Sequence, residues 1–352
     1  MLGTAPVIDI AVVGGGPAGL SAAILAKQAG LEVVVFEAQA GTIDKACGEG
    51  LMPPALSALD RMGVARPAGM PFNGIRYVDG PCVAQAAFSM GPGLGVRRTE
   101  LHRVLRSRVD ELRIPVRVQR VQEWSQDDSG VTVEGCRARW LFAADGLRSP
   151  IRAQLGLGEA ARFPARLGIR RHFAVAPWAE FVEIHWSPWA EAYVTPVGPN
   201  EVGVAILYSA DAQPPGAGDP FSRWLHVFPV LADRLGDPVS EARGAGPFEQ
   251  RLKAPMDGRV LLIGDAAGYL DPLTGEGIRL GFDTAAAAVQ AVVSKRTGTF
   301  PSLCRRALRR YWFLTSGLLF IRRREWIRRR LVPFLARFPR IFRFALDSLN
   351  HA

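Results

Sequence analysis

Cysteine is scarce: four residues in 352, Cys47, Cys82, Cys136 and Cys304, with no CxxC pair among them. That argues against a disulfide framework and makes a reducing, cytoplasmic setting the expectation. The five histidines, His102, His172, His185, His226 and His351, show no HExxH or similar ligand spacing, so no metal is expected. His172 and His185 read as satisfied structural histidines. No segment reaches the roughly 20 apolar residues of a spanning helix. The longest candidate near the C-terminus, 311–321, has eleven residues with arginines on both sides. The apolar run VIDIAVVGGGPAGLSAAILA lacks a basic leading region and is broken by glycines, so it reads as strand, turn and helix rather than as a signal peptide. There is no internal repeat and no low-complexity segment.

Net positive charge is also missing from most of the chain. The net charge is +10, but residues 301–352 hold thirteen arginines against Glu325 and Asp347, a net +11, which leaves −1 for the first 300 residues. This tail alternates arginine clusters with aromatic and aliphatic residues at helical spacing. It reads either as amphipathic helices on an anionic membrane surface, giving a peripheral location, or as a helical cap whose apolar stripe packs inward. No recognition motif accompanies the charge, so no nucleic-acid partner is expected.

What is present begins with apolar content of 48%, enough for a substantial core. The run 7–13 is continuously apolar, as a strand buried on both faces should be. A tight turn, helix-forming residues from Pro17 and a second β-branched run, LEVVVFE, follow, which is a βαβ unit. Gly14, Gly16 and Gly19 form GxGxxG at its turn, with Pro17 and Ala18 between them, and Glu37 ends the next strand eighteen residues beyond Gly19. Glycines there allow a sharp turn and close approach to a pyrophosphate at the positive end of a helix, while Glu37 accepts hydrogen bonds from a ribose diol. An acid at that position disfavours a 2′-phosphate. Between 167 and 208 the pattern changes to several β-rich runs separated by turns, the mark of an antiparallel sheet. The expected fold class is therefore α/β: a Rossmann-type nucleotide domain with an inserted antiparallel β-rich substrate domain and a C-terminal helical segment. The expected boundaries are 1–70, 96–165 and 256–300 for the first, 71–95 and 166–255 for the second, and 301–352 for the helices.

Two further stretches narrow the cofactor. AADGLRSPIR, containing Asp145 and Gly146, resembles the DG motif of flavoprotein hydroxylases; LLIGDAAGYLDPLTGEGI resembles the GD motif and flavin loop of the same superfamily. With GxGxxG they occur in the family's order over most of the first 300 residues. The sequence thus resembles the FAD-dependent oxidoreductases that join flavoprotein monooxygenases with geranylgeranyl reductases, of para-hydroxybenzoate hydroxylase-like fold. The resemblance implies FAD as cofactor, with NAD(P)H as electron donor. It places Asp145, Gly146, Gly264 and Asp265 at the FAD, with Asp265 on a ribityl hydroxyl, and Pro272, Gly275, Glu276, Gly277 and Ile278 at the flavin edge. In physical terms, loop glycines leave N–H groups free and the following helix dipole favours the negative charge of reduced flavin. In RRTELHRVL, either Arg97 or Arg98 would reach the cofactor.

KACGEGLMP resembles the geranylgeranyl reductase branch, in which a cysteine-bearing loop lies near the isoalloxazine. Cys47 would then line the active site, whereas a lone cysteine by itself reads as a small buried hydrophobe. That branch's YxWxFP substrate motif is replaced by EAYVTP, which argues against a polyprenyl substrate. The first expectation is hydroxylation of a lipophilic, electron-rich, aromatic or polyketide-type small molecule through a flavin C4a-hydroperoxide. The alternatives are saturation of isoprenoid C=C bonds and a non-catalytic flavin-binding partner protein.

Overall fold

The computed structural model describes residues 8–214 and 218–350; Val7, expected to open the first strand, and His351 lie outside the described residues. Ile8–Val13 and Val33–Glu37, almost wholly apolar, lie parallel, with Ile10 opposite Val33 and Val13 opposite Phe36. On its other side Ile8–Val13 pairs in parallel with Cys136–Ala143, which pairs in parallel with Val260–Leu262. Met256–Asp257 closes one edge of this sheet antiparallel, and Val116–Val118 the other edge in parallel. Strands so enclosed need cover on both faces, which explains the apolar runs 10–13 and 33–36. The helices Pro17–Gln28, Arg98–Glu111 and Gly277–Val293 supply part of it.

The second sheet has seven strands in the order Arg243–Ala245, Arg166–Phe173, Glu201–Ser209, Ala190–Gly198, Val182–Trp186, Gly74–Asp79 and Cys82–Ala87. Its pairs are antiparallel except where Val182–Trp186 meets Gly74–Asp79 in parallel. One face carries Val194, Val202, Val204 and Ile206 into a separate apolar core under Phe221, Trp224 and Leu231. The cover is two short helices, Pro220–Leu225 and Pro229–Ala232, rather than one, because Pro229 cannot continue the first. A small sheet of Gly50–Leu51, Gly93–Gly95 and Met70–Phe72 joins the two large ones.

The tail forms three helices, Phe300–Arg323, Glu325–Arg337 and Pro339–Asn350. In the first, Phe300, Cys304, Leu308, Tyr311, Thr315 and Leu319 are buried, an i, i+3, i+4 stripe facing the domain. Burial pushes the Cys304 thiol up to about 12, so it is a packing residue. Phe342 on the last helix lies 4.7 Å, ring to ring, from Tyr77 of the second sheet. The inward-packing half of the cap reading is therefore met.

Candidate active site

At the first glycine turn the chain closes on itself. Gly14 has φ +109°, and a Cβ there would stand 2.3 Å from the Ala144 carbonyl oxygen; a Cβ on Gly19 would stand 1.8 Å from that of Gly14. Neither position admits a side chain. Gly16 precedes the helix and Pro17 occupies its first turn, where no N–H is needed. Glu37 accepts hydrogen bonds from Gly15 N at 2.6 Å and Gln39 N at 2.9 Å. His102, which sequence reasoning left unassigned, supports the turn from below with Nε2 3.1 Å from Gly15 O. Burial and then the neighbouring Arg98 charge lower its pKa, favouring the neutral ring. Gly14, Gly16, Glu37, Lys45, Asp145 and Arg148 border a cavity of about 280 Å³ beside the turn.

The DG and GD segments meet at the same cleft. Asp145 accepts from Ile151 N at 3.1 Å through one oxygen, and its other oxygen is buried without a partner. Burial raises its pKa against the pull of Ser149, Ile151 and Arg152. Gly146 follows at φ +85°. Asp265 lies on a 3-10 turn, Gly264–Ala267, directly after the Val260–Leu262 strand. Its carboxyl is raised by burial and opposed by Lys45, Arg98 and Arg152, and it accepts no hydrogen bond among the described residues. Gly264, at φ +60°, presses on Ala18: a Cβ there would lie 2.7 Å from the Ala18 methyl. These two residues shape the cleft by letting turn and helix approach. Arg152 ties the segments together, donating to Leu147 O at 2.7 Å and to Asp265 O and Ala266 O at 3.3 Å each.

The arginine alternative resolves. Arg98 is buried beside Gly16, with one guanidinium nitrogen lacking a partner, and its charge is felt by Asp265 and Cys47. Arg97 instead forms an ion pair with Glu201 on the second sheet. The expectation that Arg97 serves the cofactor is corrected accordingly: its charge is already neutralised elsewhere.

Past Asp265 the chain forms the expected loop. Asp271 caps Pro272–Thr274, accepting from Leu273 N at 3.0 Å, and Gly275 takes φ +71°. One expectation fails in detail. The Gly275 N–H is not free but donates to Pro272 O at 2.8 Å. Among the described residues the N–H groups of Glu276, Gly277 and Ile278 have no protein acceptor; they lie at the start of the Gly277–Val293 helix, where the first N–H groups have no intrahelical partner. One oxygen of the Glu276 side chain accepts from Arg279, at 2.5 and 2.9 Å, and the other is buried without a partner among the described residues.

Cys47 lies opposite, in the loop that leads to Gly50–Leu51, its Sγ accepting from Glu49 N at 3.3 Å. Burial raises the thiol pKa, and Arg98 only partly offsets it. The shift disfavours the thiolate that a reactive cysteine needs. Glu49, unremarked in the sequence, sits at φ +60° and gathers Arg98 N at 2.8 Å and His172 Nε2 at 2.6 Å.

The loop is also gripped from outside. Tyr193 donates to Leu273 O at 2.9 Å. Tyr311 of the tail accepts from Leu270 N and Asp271 N and donates to Asp271 O, at 3.0, 2.9 and 2.9 Å. Arg166 joins Asp271, at 2.8 Å, to Glu191, at 2.7 Å, and Arg322 of the tail completes the buried set on Glu191. Two arginines balance two carboxylates. Burial alone would lower the Arg166 pKa, but Glu191 and Asp271 drive it upward.

These features fit FAD. The glycine turn closed to side chains, the acid at the adjacent strand end and Asp145 line one cleft, and an unpaired Arg98 nitrogen, an unpaired Asp145 oxygen and free helix N–H groups are each able to meet part of a dinucleotide. Fold and site together define a Rossmann-type flavoprotein with an inserted substrate sheet. The sequence matches the FAD binding domain family over residues 7–187, and the chain belongs to that family. It is 30% identical to the menaquinone reductase of Mycolicibacterium smegmatis over 318 residues, covering 81% of this chain and 76% of that one. It is 29% identical to the para-nitrophenol 4-monooxygenase of Pseudomonas sp. over 319 residues, covering 81% and 77%, and 29% identical to a digeranylgeranylglycerophospholipid reductase of Methanopyrus kandleri, covering 77% and 76%. A flavoprotein/dehydrogenase from Cytophaga hutchinsonii shares the fold, with a TM-score of 0.78 at 19% identity over 89% of this chain and 85% of that one. The protein is an FAD-dependent oxidoreductase of the superfamily that joins monooxygenases with geranylgeranyl reductases.

Proposed function

We propose that the protein is a monooxygenase that inserts one atom of dioxygen into a C–H bond of a lipophilic, electron-rich ring, the other atom leaving as water, with NAD(P)H supplying two electrons. FAD, when bound, supplies the redox chemistry and the activation of dioxygen. In this reading Asp265 and Arg98 hold the ribityl chain and phosphates, and Glu37 the ribose. The N–H groups of Glu276, Gly277 and Ile278, at the positive end of a 17-residue helix, stabilise negative charge at the pyrimidine edge. Asp265→Ala should cost at least about tenfold in FAD affinity while far-ultraviolet circular dichroism stays native; full FAD occupancy in that variant would remove Asp265 from the site.

One observation carries the choice of a ring substrate. The sheet face behind the flavin loop is built of buried aromatics: Tyr193 reaches the loop, Tyr77 packs edge-on to Trp186 at 5.4 Å, and the Trp186 N–H is buried without an acceptor. A polar-substituted ring suits such a wall better than a bare isoprenoid. The relative named para-nitrophenol 4-monooxygenase supports the same class. Glu191, Tyr193 and Thr195, where the prenyl reductases carry their aromatic motif, are committed here to Arg166, Leu273 O and Gly48 O.

The second reading, C=C saturation of an isoprenoid, is favoured by the Cys47 loop and by the digeranylgeranylglycerophospholipid reductase among the relatives. Turnover of lipid-soluble phenols under isotopically labelled dioxygen separates the two. Label in the product with stoichiometric NAD(P)H oxidation supports oxygenation. Peroxide release with unlabelled, unchanged phenol, together with anaerobic saturation of a polyprenyl substrate, supports the reductase.

A further inference from the structure

The tail's inner face holds the flavin loop; its outer face is open to solvent among the described residues. Among the described residues fourteen large apolar side chains are exposed, and seven of them lie in the tail. Phe313 on the first helix and Phe344 on the third are 77% and 75% exposed, and Trp326 and Phe334 on the second are also open. Isolated exposed apolar residues are ordinary, but half of a chain's total within three consecutive helices marks a contact surface. Arginines are interleaved with them: Arg324 lies 5.1 Å over the Phe320 ring and Arg330 5.9 Å over that of Trp326, while Arg329, Arg337 and Arg340 stand in solvent. No helix among the described residues is long and apolar enough to cross a membrane.

We propose that this outer face docks on an anionic bilayer surface, with Phe313, Trp326 and Phe344 entering the interface and the surrounding arginines on lipid phosphates. Charge selects the occupant. The net +11 of residues 301–352 stands beside a body of −1, so attraction to an anionic plane is confined to one element. The apolar residues choose between anionic partners: Ile341 and the phenylalanines gain by leaving water for acyl chains, whereas a nucleic-acid backbone offers them only hydrated phosphate. Docking is independent of which reaction the flavin site performs.

The test uses the full-length holoprotein and sedimentation with vesicles of phosphatidylcholine alone, or of phosphatidylcholine with an equal amount of phosphatidylglycerol. Sedimentation with the anionic vesicles only, weakened but not abolished by added salt, is the expected result. The double variant Phe313→Ser with Phe344→Ser should bind at least about tenfold more weakly while keeping its flavin absorbance, since both side chains are exposed. No sedimentation, equal sedimentation with both vesicles, undiminished binding by the double variant, or displacement from vesicles by a short DNA duplex would each overturn the proposal.

Discussion

At the nucleotide end of the cleft, Gly14 and Gly19 lie within six residues and are fixed by backbone contact: the limiting distances run to carbonyl oxygens 2.3 and 1.8 Å from where a Cβ would stand. At the flavin-loop end, the 271–278 segment is fixed by side chains drawn from far along the chain, Arg166, Glu191 and Tyr193 from the second sheet and Tyr311 and Arg322 from the tail. The first end tolerates no added atom at Gly14 or Gly19 and is limited by main-chain atoms, among them the Ala144 carbonyl. The second accepts sequence change locally but depends on a buried, charge-balanced set. A site can thus be rigid because its backbone is crowded, or because remote groups clamp it, and the two respond differently to mutation.

Gly19→Ala tests the crowded end and should have the largest effect. The added methyl would have to displace the Gly14 carbonyl by more than an ångström, so the turn cannot form. Purified protein is expected without FAD and less stable by more than about 3 kcal/mol, read by absorbance and by urea unfolding. A flavin-replete Gly19→Ala protein would show that the turn can yield after all.

Arg166→Met tests the clamped end. Removing one partner from a buried ion set leaves Glu191 and Asp271 facing each other, a loss of about 3–5 kcal/mol. The glycine turn is untouched, so ADP should still bind within a few-fold of wild type, in isothermal titration of protein stripped of flavin. Loss of ADP binding would mean that the two ends do not act independently. Tyr311→Phe should show the same split at lower amplitude. It removes a hydroxyl that serves three backbone groups of the loop, at a cost of about 1–3 kcal/mol, with a changed flavin absorbance envelope and unchanged ADP affinity.

The same contrast explains what could be read in the sequence. The glycine turn, Glu37, the DG pair and the GD turn are local patterns in which spacing and chemistry coincide, and the structure brings them to one cleft. Insertion of a β-rich region was legible from a change of period, and the inward stripe of the tail from its spacing. The grip of Tyr311 on Leu270 and Asp271 was not legible, because forty residues separate the partners and a helical spacing that turns Tyr311 inward does not say what its hydroxyl meets. Arg166 and Glu191 looked like ordinary strand residues. Their burial on the sheet face toward the loop depends on register, Arg166 opposite Ser209 and Glu191 opposite Leu207, which composition does not reveal. Local spacing also left Gly275 overrated, since a loop that turns tightly spends its own N–H on closing the turn.

The smallest predicted effect bears on how sharply the cleft's edge is drawn. Arg97 and Arg98 are adjacent, yet one pairs with Glu201 while partly exposed and the other is buried beside Gly16. Arg97→Gln should change stability by no more than about 1 kcal/mol, the range of an exposed ion pair, and leave FAD affinity within twofold. Arg98→Gln removes a buried cation that faces Asp265 and Cys47, and its FAD dissociation constant should rise at least about tenfold. Fluorescence titration of both variants reads the difference directly. If the two lose equal affinity, the boundary lies beyond Arg97, and the Arg97–Glu201 pair belongs to the clamp that joins the second sheet to the cofactor cleft.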